Sequence, residues 1–158
     1  MGEVYFYQLT RRSVEAMLPP LLDRALSQGW RVAVRGTDAG RLEHLDEALW
    51  LGPKEGFLPH GIAGGPHDAR QPVLLTTEEG EAPNRADMLV SVDGADLTAD
   101  EVRAHHRSCV VFDGEDKAAL ATARAQWKAL TDAGAGARYW SEESGRWVEK
   151  AAKNVGGR

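Results

Sequence analysis

Apolar residues alternate between short unbroken runs and longer stretches with helical spacing. Val4-Tyr5-Phe6-Tyr7-Gln8-Leu9 is rich in aromatic and branched side chains and reads as a strand. Leu18, Leu21, Leu22, Ala25 and Leu26 then recur at helical spacing, with Pro19 and Pro20 placing the start of regular helix near them and Gly29 its end. Trp30 to Val34 is a second strand. From Asp38, a good N-cap, Leu42, Leu45 and Leu49 define a second helix that ends before Gly52-Pro53. A loop-rich middle leads to Val73-Leu74-Leu75-Thr76, the third strand. Met88 to Val92 and Cys109 to Phe112 are continuous apolar runs that stop at Asp93-Gly94 and Asp113-Gly114, as expected of strands buried on both faces of a mostly parallel sheet. Asp116 to Ala133 has no Pro or Gly and carries the stripe Leu120, Ala123, Trp127 and Leu130, so it reads as a helix stopped by Gly134. Ala137 to Trp140 reads as a final edge strand. The alternation predicts a three-layer α/β domain, a largely parallel sheet with helices on both faces. Residues 1–145 form this single domain in that reading, and 146–158 form a short basic tail that frays.

Composition narrows the function classes. The 158 residues, 42% hydrophobic and 27% charged, suit one soluble globular domain. No apolar stretch approaches the roughly 18–20 residues needed to cross a bilayer, and the start carries no basic leader or acylation signal, so no membrane is implied and the expected location is cytoplasmic. Cys109 is the single cysteine; it fits a reducing compartment and, within its apolar run, a place in the core. The net charge of −5 disfavours direct nucleic-acid binding, which rests on phosphate neutralisation. That total conceals an asymmetry. Residues 1–116 carry 11 Lys and Arg against 20 Asp and Glu, a net of −9, whereas residues 117–158 carry 8 against 4, a net of +4. A basic C-terminal quarter points to an acidic partner.

Nucleotide chemistry is the first possibility for such a fold, but its motifs are missing. Gly36 follows the second strand without a G-x-G-x-x-G, and no phosphate-cradling G-x-x-x-x-G-K-[ST] occurs. A nucleotide-dependent enzyme using the Gly61–Gly65 loop with His60 or His67 is the alternative reading. None of the five histidines forms a metal-binding spacing, no Ser sits in a nucleophile elbow, and no cofactor or metal is implied. The late helix is more informative. Lys117, Arg124 and Lys128 lie seven and four residues apart, near one line on its surface, with Trp127 beside them. Two cations next to a flat apolar ring suit a short peptide ending in acidic residues and an aromatic. The competing reading puts Trp127 in the core and the basic residues on an ordinary wetted face.

Two stretches carry a resemblance. Leu45-Asp46-Glu47-Ala48-Leu49-Trp50, then Phe57-Leu58-Pro59-His60 and Ala63-Gly64, resemble the signature of the chi subunit of bacterial DNA polymerase III holoenzyme. The order of elements agrees, from Phe6-Tyr7 with Leu9 in the first strand to the late helix with Arg124 and Trp127-Lys128, over about residues 4–140. The resemblance implies a mononucleotide-binding (Rossmann-like) fold that does not use its nucleotide site, and a non-enzymatic accessory of the clamp loader. It implies two partners: the psi subunit, and the acidic, Phe-terminated tail of single-stranded DNA-binding protein. The family's tail site falls on Arg124, Trp127 and Lys128, with Trp50 closing against them, and Phe57 matches the aromatic used toward the partner subunit. Other members carry further basic residues where this chain has Leu120 and Thr131, a departure for which Lys117 is the candidate compensation.

Overall fold

A computed structural model describes residues 2–10, 12–50, 60–66, 68–80, 82–143 and 146–155, Trp50 by its backbone alone. Strand β1 (Glu3–Leu9) is followed by helix α1 (Val14–Ser27), β2 (Val32–Arg35), α2 (Ala39–Trp50) and a two-residue strand β3 (Gly61–Ile62). Then come β4 (Val73–Thr76), β5 (Met88–Val92), α3 (Ala99–Ala104), β6 (Arg107–Asp113), α4 (Lys117–Asp132), β7 (Gly136–Glu143) and β8 (Arg146–Lys153). One eight-stranded sheet has the order β3-β4-β2-β5-β6-β1-β7-β8, and every pairing is parallel except β7 with β8. Among the described residues no helix is long and apolar enough to cross a membrane.

The central strands are mostly apolar on both faces because both faces are covered. Val32, Val34, Val90, Val92, Cys109 and Val111 pack with Leu18 and Leu22 of α1 and Leu42 and Leu45 of α2. Their alternates, Ala33, Leu89 and Val110, join Phe6 against Val102 of α3 and Ala123 and Leu130 of α4. Two helices thus lie on each side of the sheet, the three-layer Rossmann-like arrangement that the alternation predicts. Cys109 is fully buried, and burial pushes its thiol up to about 12.

Local chemistry sets the element ends. Asp116 accepts from the amides of Ala118 (2.9 Å) and Ala119 (3.3 Å) at the start of α4, and Asp38 accepts from Arg41 N at 3.1 Å at the start of α2. The two Asp-Gly stops differ in kind. Asp93 and Gly94 both take the left-handed conformation, at φ 54° and 79°. Gly114 is needed for space: its amide donates to Leu9 O at 2.7 Å, and a Cβ would lie 2.8 Å from that oxygen.

Four expectations change. Helix α1 starts at Val14, five residues before the prolines, because Ser13 caps it by accepting from Ala16 N at 3.2 Å. Pro19 and Pro20 sit inside it, half-buried and exposed, so the hydrogen bonds they remove face away from the core. Helix α3 was not anticipated. Nor do residues 146–153 fray: they form β8, held by antiparallel pairing with β7 and by Trp147, which packs edge-on to Tyr7 at 5.2 Å between ring centres. In consequence β7 is interior, and β8 is the edge, with charged side chains that discourage further pairing.

Candidate functional site

Trp127 lies on the side of α4 turned toward β1 and β7. It is half-buried, edge-on to Phe6 (5.4 Å, 72°) and to Tyr139 (5.8 Å, 77°), and Phe6 and Tyr139 are themselves parallel at 6.1 Å. The Tyr139 hydroxyl is hydrogen-bonded to Gln8 Oε1, and burial raises its pKa. The indole packs on the core and also lines a groove of about 410 Å³ between α4 and the β7–β8 hairpin.

Arg124 lines the same groove. Its side chain is exposed and forms no ion pair among the described residues. Across from it, β7 presents Tyr139, Ser141 and Glu143, and β8 presents Lys150 and Ala151. Lys150 Nζ is 2.7 Å from Glu143 Oε2, so one cation of the far wall is already paired and Arg124 supplies the uncompensated charge. Lys128, exposed one turn beyond Arg124, does not line the groove; its ammonium is 2.7 Å from Asp132 Oδ2, which raises its pKa and lowers that of the aspartate.

The structure thus brings Arg124 and Trp127 together and leaves Lys128 at the margin. It does not bring Trp50 to them. Trp50 ends α2, which packs on the α1 side of the sheet, whereas Trp127 and Arg124 ride on α4 on the opposite side. Phe57 and His67 lie outside the described residues. The two positions at which family members carry extra basic residues are structural here. Leu120 packs against the α4-side core, and Thr131 is buried with its hydroxyl donating to Trp127 O at 2.7 Å. Lys117 is exposed at the start of α4 and does not line the groove. Lys150 lines it from β8, a position that the sequence does not reveal because the charged segment 146–153 resembles a tail.

The Gly61–Gly65 loop is committed to other work. Gly61 and Ile62 pair with Leu74 and Leu75, and the amides of Gly64 and Gly65 donate to the carboxylate of Asp68 at 2.8 and 3.0 Å. Those are the donors a phosphate would need. His60 is buried, with Nε2 3.0 Å from Asp46 Oδ1. At the carboxyl ends of the strands, where this fold class holds nucleotides, the helix starts are likewise filled by Ser13 and Asp116.

Fold and groove together define a three-layer Rossmann-like α/β domain whose open, cationic face lies on a helix–hairpin flank and not on a glycine-rich phosphate loop. The chain belongs to the family described as DNA polymerase III chi subunit, HolC, whose model matches residues 1–138. It is 31% identical over 80 residues to the DNA polymerase III subunit chi of Escherichia coli K12, covering 51% of this chain and 54% of that protein. With the DNA polymerase III subunit chi of Pseudomonas aeruginosa it shares 33% identity over 96 residues, 58% of this chain and 65% of the relative. A probable DNA polymerase III subunit chi of Rickettsia prowazekii matches at 30% over 77 residues, 49% and 46% of the two chains. The chain spans about half the length of the curated relatives it matches.

Proposed function

We propose that this chain is a non-catalytic accessory of the replicative polymerase's clamp loader. In this reading it holds the acidic, Phe-terminated tail of single-stranded DNA-binding protein in the groove between α4 and the β7–β8 hairpin, and works in the cytoplasm. The observation that carries the proposal is Arg124, uncommitted beside the half-buried Trp127 in a groove of about 410 Å³. The guanidinium clamps a carboxylate, the terminal ring lies along Trp127 and Tyr139, and the paired Lys150 and Glu143 face them from the other wall. Lys128 contributes at the rim.

Burying one Phe side chain contributes about 1.5–3 kcal/mol, and each exposed charge contact roughly 0.2–1 kcal/mol. The expected affinity is on the order of micromolar, near −8 kcal/mol, and weakens with salt. The acidic remainder of the molecule keeps DNA itself away. The psi subunit is the second partner, met through the segment that contains Phe57.

Calorimetric titration with a synthetic acidic peptide ending in Phe tests the tail site. Wild type gives heat of binding, Arg124→Ala loses most of it, and a peptide without the terminal Phe binds more weakly. Equal binding by wild type and Arg124→Ala would remove the site assignment. Co-purification with a psi subunit, lost on Phe57→Ala, tests the second partner.

A further inference from the structure

The hairpin wall of the groove continues outward past the residues that line it. Directly paired residues of neighbouring strands share a face, so the register of β7 with β8 sets Val148 beside Ser141 and Arg146 beside Glu143, on the side turned toward α4. Lys150, the extra residue where the register shifts between Tyr139 and Trp140, lines the groove itself. Arg146, Val148 and Lys150 thus form a strip of alternate residues along β8, two cations around one apolar side chain.

Two observations set this strip apart from an ordinary wetted edge. Val148 is 38% exposed, and among the described residues only Ile62 joins it as a large exposed hydrophobic. The other is a missing ion pair. Glu143 is the cross-strand neighbour of Arg146, and opposite charges so placed attract one another. Glu143 turns instead to Lys150 at 2.7 Å, and Arg146, exposed, forms no ion pair among the described residues. The hairpin therefore carries an unpaired guanidinium of its own, as α4 does with Arg124. Four residues of β7 lead from Tyr139 to Glu143, about 13 Å at roughly 3.3 Å per residue. An extended chain whose terminal ring lies against Trp127 and Tyr139 thus brings the residue about four positions upstream to the level of Arg146.

We propose that Arg146 and Val148 form an upstream subsite for the acidic tail, an inference that rests on the groove being the tail site. The terminal aromatic sits in the groove, an apolar residue before it covers Val148, and a carboxylate further upstream meets Arg146. The occupant is thereby an extended acidic segment of about five residues, not a lone C-terminal residue. Charge complementarity selects it, because Glu143, the acid beside the strip, is already paired and leaves nothing to hold a basic partner.

The test titrates the full chain calorimetrically with two synthetic acidic peptides ending in Phe, a tripeptide and an octapeptide. Wild type binds the octapeptide more tightly. Arg146→Gln lowers octapeptide affinity about two- to fivefold and leaves the tripeptide unchanged; Val148→Thr, which keeps the branched shape, acts in the same direction. Arg146→Glu weakens the octapeptide further, and an octapeptide with lysine in place of the carboxylate four residues before the Phe restores binding, which a folding defect could not produce. Equal affinity for the two lengths, or an octapeptide indifferent to Arg146→Gln, would overturn the subsite. Arg124→Ala separates that failure from failure of the groove: it weakens both peptides where the groove is the tail site, and neither where it is not.

Discussion

The carboxyl-end rim of the sheet and the α4–hairpin groove both contain arginines, but they use them oppositely. At the rim, Arg35 is buried and bound to Glu101 by two bonds of 2.7 and 3.0 Å, with Gly80 O and Asp96 O each at 3.0 Å. Arg41 bridges Glu15 and Asp93 there. In the groove Arg124 has no such internal partner among the described residues. A guanidinium ion-paired inside its own chain holds strands and loops in place, whereas one left unpaired beside an aromatic wall is available to another molecule.

Breaking that contrast at its strongest point gives the largest effect. Glu101→Ala leaves Arg35 buried with its charge uncompensated and removes one half of the α3 capping box, so unfolding free energy falls by about 3–5 kcal/mol. Chemical denaturation measures it, and binding of the acidic peptide at a temperature where the variant stays folded is unchanged. Next comes acid. The hydrogen bond and charge of Arg41, aided by His44, hold Glu15 down to about 2. A carboxylate depressed in the folded state stabilises it above the ordinary carboxylate range, and that stability is lost as pH falls from about 4.5 toward 2. The loss is about 2 kcal/mol, seen in denaturation curves at stepped pH and absent in Glu15→Gln.

The groove responds in the other currency. Arg124→Ala lowers peptide affinity about tenfold and leaves the unfolding midpoint within experimental scatter. Lys128→Ala has the smallest effect, a change of a few-fold at most, because its ammonium already faces Asp132 at 2.7 Å and stands outside the groove. A large loss of affinity in Lys128→Ala with none in Arg124→Ala would reverse the roles assigned to the two cations.

What the chain reveals before folding depends on how local the determining contacts are. Helix α4 was legible because periodicity, the Asp116 cap and the Gly134 stop all lie within it. The runs Met88–Val92, with Ser91 its one polar residue, and Cys109–Phe112 declare their double-sided burial by lacking a regular polar alternation. Helix α3 carried its signal too, Thr98-Ala99-Asp100-Glu101, a capping-box spacing before a helix too short for periodicity to show. Strand β8 was hidden by composition, since Arg, Glu and Lys on an exposed edge resemble a tail until β7 supplies the pairing. The separation of Trp50 from Trp127 lay beyond any local pattern. Both helices have one apolar stripe, and only the strand order, which sends the β2–β3 connection over one face and the β6–β7 crossover over the other, decides which side each covers. Half of the candidate site was therefore readable, the helical half, and the hairpin half was not.

The family pattern runs through residue 138, and the strand bearing Lys150 comes after it. One jaw of the groove thus lies within the matched stretch, and Lys150 of the other jaw lies after it. In the proposed reading, selectivity among acidic tails is consequently free to drift by changes at the exposed Glu143 or Lys150, at little risk to the buried helix interface on which the rest of the molecule depends.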